Sequence, residues 1–214
     1  MKTYIKLSNA PQSQLPHEFR DEDVRFSENF AKTFIEQYST PGNVVFDPFT
    51  GFGTTLLVAE RLGRIPAGLE FDPRRADYVR LLLRQPEHFF NGDSRRLGDY
   101  DLPPFDFSLT SPPYMGKNDT EDPFTSYRLP GSGYRGYLQD LQQIYVQMRR
   151  LMKPGARVVI EASNLKGRDG VTALAWDIGN AVAQVLTFEG ETILEWDTKY
   201  GYGYDHSYAL VFSA

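Results

Sequence analysis

The chain has 214 residues, 41% hydrophobic and 24% charged, with a net charge of −5; this fits one α/β domain with a full core, leaves little room for a second, and argues against a broad nonspecific duplex-binding surface. No apolar run approaches the ~20 residues that cross a bilayer, and residues 1–6 lack the apolar stretch of a signal peptide, so the chain reads as cytoplasmic with no membrane partner. The absence of cysteine excludes disulfides, thiolate metal sites and cysteine nucleophiles, and His17, His88 and His206 are too scattered for a metal cluster.

Residues 1–25 are polar, with Pro11, Pro16 and the run Arg20-Asp21-Glu22-Asp23, and read as an extended arm or loop. Ser27 is placed to cap a helix over Glu28–Tyr38, with Phe30, Phe34, Ile35 and Tyr38 on one face. Pro41-Gly42 ends it. A short buried strand follows at 43–47, then a helix over 54–62 closed by Gly63. The pattern continues with a strand over Ile65–Glu70, a helix over 73–84, and strands over 88–91 and Phe105–Thr110. Residues 137–152 form an amphipathic helix through Leu138, Leu141, Ile144, Tyr145, Met148 and Leu151, stopped by Lys153-Pro154-Gly155. A strand over 157–162, a helix over 171–186 and two strands over 192–197 and 207–212 complete the chain. The last two are joined by a Gly/Tyr-rich link suited to a hairpin. Strand–helix alternation implies a parallel sheet with helices on both faces, and the hairpin adds an antiparallel strand. The longest irregular stretch is 115–135; a loop of about 20 residues in a compact domain is usually functional or disordered.

Four features carry chemistry. Asp47-Pro48-Phe49-Thr50-Gly51-Phe52-Gly53-Thr54-Thr55 lies between a strand and a helix. Its glycines let backbone turn sharply and approach a ligand at the carboxyl end of a strand. Asp47 is odd for a phosphate site and suits a ligand with a positive group; the alternative is a plain strand-to-helix turn. Glu70 ends the next strand, where an acid can accept from both hydroxyls of a ribose, or simply face solvent. Asp93 follows the third strand and reads either as an acceptor for an adenine amino group or as an Asx turn. Ser111-Pro112-Pro113-Tyr114 follows the fourth. Prolines remove backbone donors, so the Pro112 carbonyl and the Ser111 hydroxyl offer two acceptors for a planar amine, beside an aromatic face. The alternative is a proline-rich turn with a packing tyrosine.

With these segments in this order, the chain resembles the amino-methyltransferases of DNA, the cytosine-N4 and adenine-N6 enzymes. Residues 47–55 match that family's D-P-F-x-G-x-G-T-T cofactor loop, and Ser111-Pro112-Pro113-Tyr114 its [DNS]-P-P-[YFW] catalytic loop. The resemblance covers roughly residues 26–214. It implies a Rossmann-like S-adenosylmethionine-dependent methyltransferase fold, with a mostly parallel seven-stranded sheet and a C-terminal antiparallel hairpin strand. This is one domain over 26–214, preceded by the 1–25 arm, with a substrate-loop insertion around 115–135. It further implies that Asp47, Pro48, Phe49, Gly51 and Gly53 line the methionine part of the cofactor, and that Thr54 and Thr55 open the helix beside it. Glu70 takes the ribose, Asp93 the adenine, and Phe26 and Ser27 touch the cofactor from the preceding helix. Ser111, Pro112 and Pro113 orient the target amine and Tyr114 stacks on a flipped base. No metal is required. The cofactor loop precedes the catalytic loop, whereas many members with serine in the catalytic loop show the reverse order.

The expected activity is methylation of an exocyclic amine in DNA, with cytosine N4 favoured over adenine N6. The alternatives are an RNA (tRNA) base methyltransferase, whose members usually bring an extra RNA-binding domain, and a non-catalytic cofactor-binding module of a larger complex. A protein-glutamine methyltransferase is more remote, since its loop usually begins with asparagine. There is no room for a separate target-recognition region. Lys117, Arg128 and the neighbouring Tyr127, Tyr134 and Arg135 make 115–135 either a strand-contacting insertion or a glycine-rich lid. Lys166-Gly167-Arg168 reads as a phosphate contact or a solvated loop. The link Tyr200-Gly201-Tyr202-Gly203-Tyr204 reads as a base contact through Tyr202 or a flexible turn. A homodimer or a separate specificity subunit would supply missing DNA-binding surface.

Overall fold

A computed structural model describes residues 2–10, 13–167, 170–198 and 202–214. Pro11, Arg168, Tyr200 and Gly201, all named above, lie outside the described residues. The strands are β1 (Tyr4–Leu7), β2 (Val44–Asp47), β3 (Ile65–Glu70), β4 (Phe89–Asn91), β5 (Phe105–Thr110), β6 (Met152–Ala162), β7 (Leu165–Gly167), β8 (Gly170–Thr172), β9 (Thr187–Trp196) and β10 (His206–Ser213). The α-helices are α1 (Glu28–Tyr38), α2 (Thr54–Arg61), α3 (Pro73–Leu82), α4 (Gly133–Leu151) and α5 (Leu174–Ala183).

One sheet runs in the order β1-β9-β10-β6-β5-β2-β3-β4. Strands β2 to β6 are parallel, and β10 is antiparallel to both of its neighbours, β6 and β9. Every residue of β2 is buried, as expected for a central strand covered on both faces. Val44 and Phe46 face one helical layer, with Ile144, Tyr145 and Met148 of α4 and Ile178 and Val182 of α5. Val45 faces the other, with Phe30 and Phe34 of α1 and Val58 and Ala59 of α2. This period-two alternation anchors the strand between two cores, each buried apolar side chain contributing about 1.5–3 kcal/mol. Helix α1 starts where expected: the Ser27 hydroxyl accepts from the Phe30 N–H at 3.3 Å, and Phe30, Phe34 and Ile35 are buried. In α3 the Asp72 side chain caps the Arg74 N–H and Pro73 takes the first turn. Among the described residues no helix is long and apolar enough to cross a membrane.

The sheet departs from the expected seven strands by one. Tyr4–Leu7, within the segment read as an arm, pairs in parallel with Ile193–Trp196 of β9 at the sheet edge. Its alternation of exposed and half-buried residues is that of an edge strand, a weak signal beside the polar residues around it. His17–Glu22 is a short 3-10 helix, held by Leu15 and Phe19 packing on Phe52. The helix expected over 171–186 is shorter. Gly170–Thr172 pairs with Leu165–Gly167 as a small antiparallel hairpin, and α5 begins only at Leu174. Gly170 at φ +117 and β-branched Val171 and Thr172 favour the strand. Strand β9 begins at Thr187, five residues before the expected start, because its exposed first half mixes charge and glycine and pairs only with β10. Within 115–135, Glu121 bridges Pro130 and α4 starts at Gly133, so the stretch is partly ordered structure.

Candidate active site

The strand order reverses between β2 and β5: β3 and β4 continue one way, β6 and β10 the other. Ligands of open α/β sheets bind at that reversal, beyond the carboxyl ends of the strands. The residues after β2 and β5 are the two motif loops. They open on one cavity of about 350 Å³, within the ~300–1,000 Å³ of small-molecule sites. Asp47, Pro48, Phe49, Thr50, Gly51 and Thr54 line it from the first loop, and Ser111, Pro112, Pro113 and Tyr114 from the second. Phe26, Glu70 and Tyr202 line it too.

Asp47 is 2% exposed. Its Oδ1 accepts from the Phe49 N–H (2.9 Å) and from the Thr110 hydroxyl (2.6 Å), so the residue before Ser111 is tied directly to the Asp47 loop. The Thr55 hydroxyl donates to the Leu109 carbonyl at 3.1 Å, a second tie between the loops. Burial pushes the Asp47 carboxyl up to about 6, against the hydrogen bonds that hold it down. Glu70 braces the same loop: its Oε2 accepts from the Gly51 N–H and its Oε1 from the Asp72 N–H, both at 2.8 Å. It is 7% exposed, and burial raises its carboxyl to about 7. Gly53 has φ +88, and a side chain there would press on Val79 at 3.1 Å. A Cβ at Gly68, in the middle of β3, would stand 2.5 Å from the Asp47 carbonyl.

In the second loop, the Tyr137 hydroxyl donates to the Pro113 carbonyl (3.0 Å) and the Tyr127 hydroxyl to the Tyr114 carbonyl (2.7 Å). No described residue takes the Pro112 carbonyl. The Ser111 hydroxyl donates to Glu161 Oε2 at 2.9 Å, and the Tyr114 hydroxyl donates to the same oxygen at 3.0 Å. The Tyr114 and Tyr202 rings lie 5.1 Å apart.

Residues 115–131 cross the cavity from Tyr114 to the carboxyl ends of β3 and β4. Phe124 stacks on Phe49 at 5.7 Å, and Pro123, Phe124, Ser126 and Tyr127 line the cavity. Two ion pairs fasten this loop: Arg128 to buried Asp72 (2.6 Å), and Asp122 to Arg95 (2.8 Å). Ser126 and Tyr127 are left-handed, at φ 53 and 59, without being glycine.

Several expected site residues lie elsewhere. Asp93 does not line the cavity; its carboxylate caps the Arg95 N–H and pairs with the Arg95 guanidinium at 2.7 Å, so the Asx turn is formed, and neighbouring Ser94 lines the cavity instead. Ser27 is buried under its own helix as a cap, and Gly53 and Thr55 shape the loop from behind. Lys117 and Lys166 are exposed outside the cavity, and Arg128 is engaged with Asp72. The backbone N–H of Lys166 donates to the Tyr202 carbonyl at 3.0 Å, which sets Lys166 beside the mouth. Sequence reasoning missed Glu161, Arg75 and Glu22, all of which line the cavity, as does Arg25 next to Phe26. The signal for Glu161 was a lone charge after Val158-Val159-Ile160; the others had none.

The lining fits S-adenosylmethionine. Two buried carboxylates suit an ammonium and a ribose diol, and the ring of Phe71 suits a purine.

The N6/N4 DNA methylase family model matches residues 7–80, which include the Asp47 loop and Glu70 but not Ser111–Tyr114. No curated protein matches the chain by sequence. Among solved structures, TrmN from Thermus thermophilus is 20% identical with a TM-score of 0.63, over 88% of this chain and 49% of that one. The chain thus spans about half the length of TrmN. A TehB-like SAM-dependent methyltransferase from Corynebacterium glutamicum is 16% identical with a TM-score of 0.58, over 92% of each chain. An rRNA methylase from Streptococcus thermophilus is 11% identical with a TM-score of 0.54, over 89% of this chain and 98% of that one. These likenesses show the fold. Residues 7–80 thus match the N6/N4 DNA methylase family model, and by its sheet and layers the chain has the fold of the S-adenosylmethionine-dependent methyltransferases.

Proposed function

We propose that this protein methylates an exocyclic amino nitrogen of a base in DNA, cytosine N4 in preference to adenine N6. The observation that carries the reading is that Ser111–Tyr114 and the Asp47 loop open on one cavity and are bonded to each other through Thr110 and Asp47.

Bound S-adenosylmethionine supplies a methyl group on a positively charged sulfur. The chain supplies place and polarity. Asp47 attracts the ammonium, Glu70 accepts from the ribose hydroxyls, and Phe49 with Gly51 and Thr54 shapes the methionine end. The Pro112 carbonyl and Ser111 Oγ accept from the two N–H bonds of the amine. That turns its lone pair out of the ring plane and toward the methyl. Tyr114 stacks on the base, and Tyr202, its ring 5.1 Å from that of Tyr114, lines the cavity beside it. A base inside a duplex cannot reach this depth, so it is extruded or already single-stranded. Proximity and fixed dipoles then carry much of the rate. Lys117 and Lys166, both exposed outside the cavity, are the proposed phosphate contacts. Arg128 and Asp93 have no direct ligand role in this proposal, because each is closed in an ion pair.

The test is transfer of label from S-adenosylmethionine to duplex DNA, single-stranded DNA and tRNA, followed by mass spectrometry of the nucleosides. N4-methylcytosine in DNA is expected. Label confined to tRNA would overturn the substrate class, and N6-methyladenine alone would overturn the preferred base.

A further inference from the structure

Neither sequence motif contains Glu161. It is the penultimate residue of β6, 1% exposed, and it lines the cavity. A single carboxylate oxygen, Oε2, accepts from the Ser111 hydroxyl at 2.9 Å and from the Tyr114 hydroxyl at 3.0 Å. Glu161 is thereby joined to both ends of the Ser111–Tyr114 loop. A buried carboxylate is costly unless it is hydrogen-bonded, and bonds from hydroxyls to an ionised carboxylate are among the stronger ones. Its arrangement has a chemical consequence: with its proton held toward Glu161, Ser111 Oγ presents lone pairs to anything else in the cavity.

We propose that Glu161 takes up the proton released by methyl transfer, acting through Ser111. The inference rests on the amine-methylation reading. When the amine nitrogen bonds to the methyl carbon, the carbon–sulfur bond breaks and its electron pair stays on sulfur. The nitrogen then carries a positive charge and one proton too many. Ser111 Oγ takes that proton as its own hydroxyl proton passes to Glu161 Oε2. The products are a neutral methylamine, a neutral thioether and a protonated Glu161, which returns its proton to solvent. The positive charge that entered on sulfur leaves as that proton. Glu161 reaches the reacting nitrogen only through Ser111, so it is a positioning residue. It also holds Tyr114 at the angle the base must meet.

The test uses Glu161→Gln, whose amide oxygen can still accept from both hydroxyls but does not serve as a base. With a single-stranded DNA oligonucleotide and labelled S-adenosylmethionine, kcat should fall about 10²-fold or more, in the range for loss of acid–base assistance. The KM for S-adenosylmethionine should stay within about twofold, and adding Ser111→Ala should slow the variant by no more than about threefold, as for residues that act as a unit. Glu161→Asp, which keeps the charge, should recover part of the rate. A kcat for Glu161→Gln within about twofold of the parent overturns the proposal. A second readout needs no turnover. Sinefungin carries an amine where the sulfonium methyl sits, so its affinity relative to S-adenosylhomocysteine reports the acceptor at that position. That ratio should drop at least about fivefold in Glu161→Gln, as befits loss of a charge-assisted network; an unchanged ratio overturns the inference. If the parent protein labels no nucleic acid, the substrate reading fails, and the sinefungin ratio still decides the role of Glu161.

Discussion

Cofactor binding should tighten as the pH rises through neutrality, because the carboxylate proposed to accept from the ribose must be ionised to do so. Burial lifts Glu70 to about 7, while the Asp72 and Gly51 N–H groups and the Arg75 charge pull the other way. At pH 6 roughly one molecule in ten then holds Glu70 ionised, and at pH 7.5 roughly three in four, so the apparent Kd should fall about eightfold over that window. Asp47, raised to about 6 by its own burial, steepens the dependence on the acid side. Isothermal titration calorimetry with S-adenosylmethionine, repeated in buffers of different ionisation enthalpy, measures both the affinity and the protons released. Glu70→Gln should weaken binding at neutral pH and flatten the profile above pH 6. A Kd that is level across the window, or a slope that persists in Glu70→Gln, would refute the reasoning. The free protein should behave oppositely. A folded value above the unfolded 4.5 means that the folded state binds more protons. The contribution is therefore full below about 4.5 and lost as pH rises through about 7, roughly 3 kcal/mol in all. Urea denaturation without cofactor should show this decline. Asp72, held low by Arg74 and Arg128 despite its burial, works the other way: its stabilisation is present above the unfolded 3.8 and lost on acidification below it.

Gly68→Ala should destabilise the fold by about 1–3 kcal/mol, a shift of several degrees in Tm, since its Cβ would collide with the Asp47 carbonyl and Thr50 Oγ1; an unchanged Tm would show that β3 can move away from the loop. Tyr114→Ala should raise the KM for a single-stranded substrate by the loss of about 1–3 kcal/mol of base stacking while leaving S-adenosylmethionine affinity near the parent value, as steady-state kinetics and calorimetry can check. Arg128→Ala should release one of the two ion pairs that fasten residues 115–131, visible as faster cleavage of that loop in limited proteolysis. If the loop stays equally resistant, the Phe124–Phe49 stack and the Asp122 pair hold it without help.

The strand–helix alternation was readable because the central strands are short apolar runs bounded by turn residues, and because Ser27 and Pro73 mark helix starts that the structure uses. The two motif loops were readable for a related reason: each combines residue types that only a special backbone or ligand would call for. What stayed hidden is long-range. Asp93 and Arg95 are neighbours in sequence, yet nothing local shows that their pairing, shared with Asp122 27 positions beyond Arg95, occupies the carboxylate. Glu161 lies 50 positions after Ser111, and only the fold brings them together. The β7–β8 hairpin was masked by apolar residues that also fit the start of a helix. Tyr4–Leu7 looked like part of a polar arm because an edge strand hides only part of each side chain.

That edge strand bears on how the chain is made. Tyr4 meets Ile193, and the Thr192 hydroxyl donates to the Lys2 carbonyl across 190 positions. During synthesis, therefore, Tyr4–Leu7 waits without a partner until β9, about 190 positions further on, has been translated and has formed beside β10. Closing so long a loop is slow and comes late. Until it happens, β9 offers an open row of backbone donors and acceptors to any extended segment nearby. A tag or fusion that delays the docking of Tyr4–Leu7 should therefore lower soluble yield before it alters the active site.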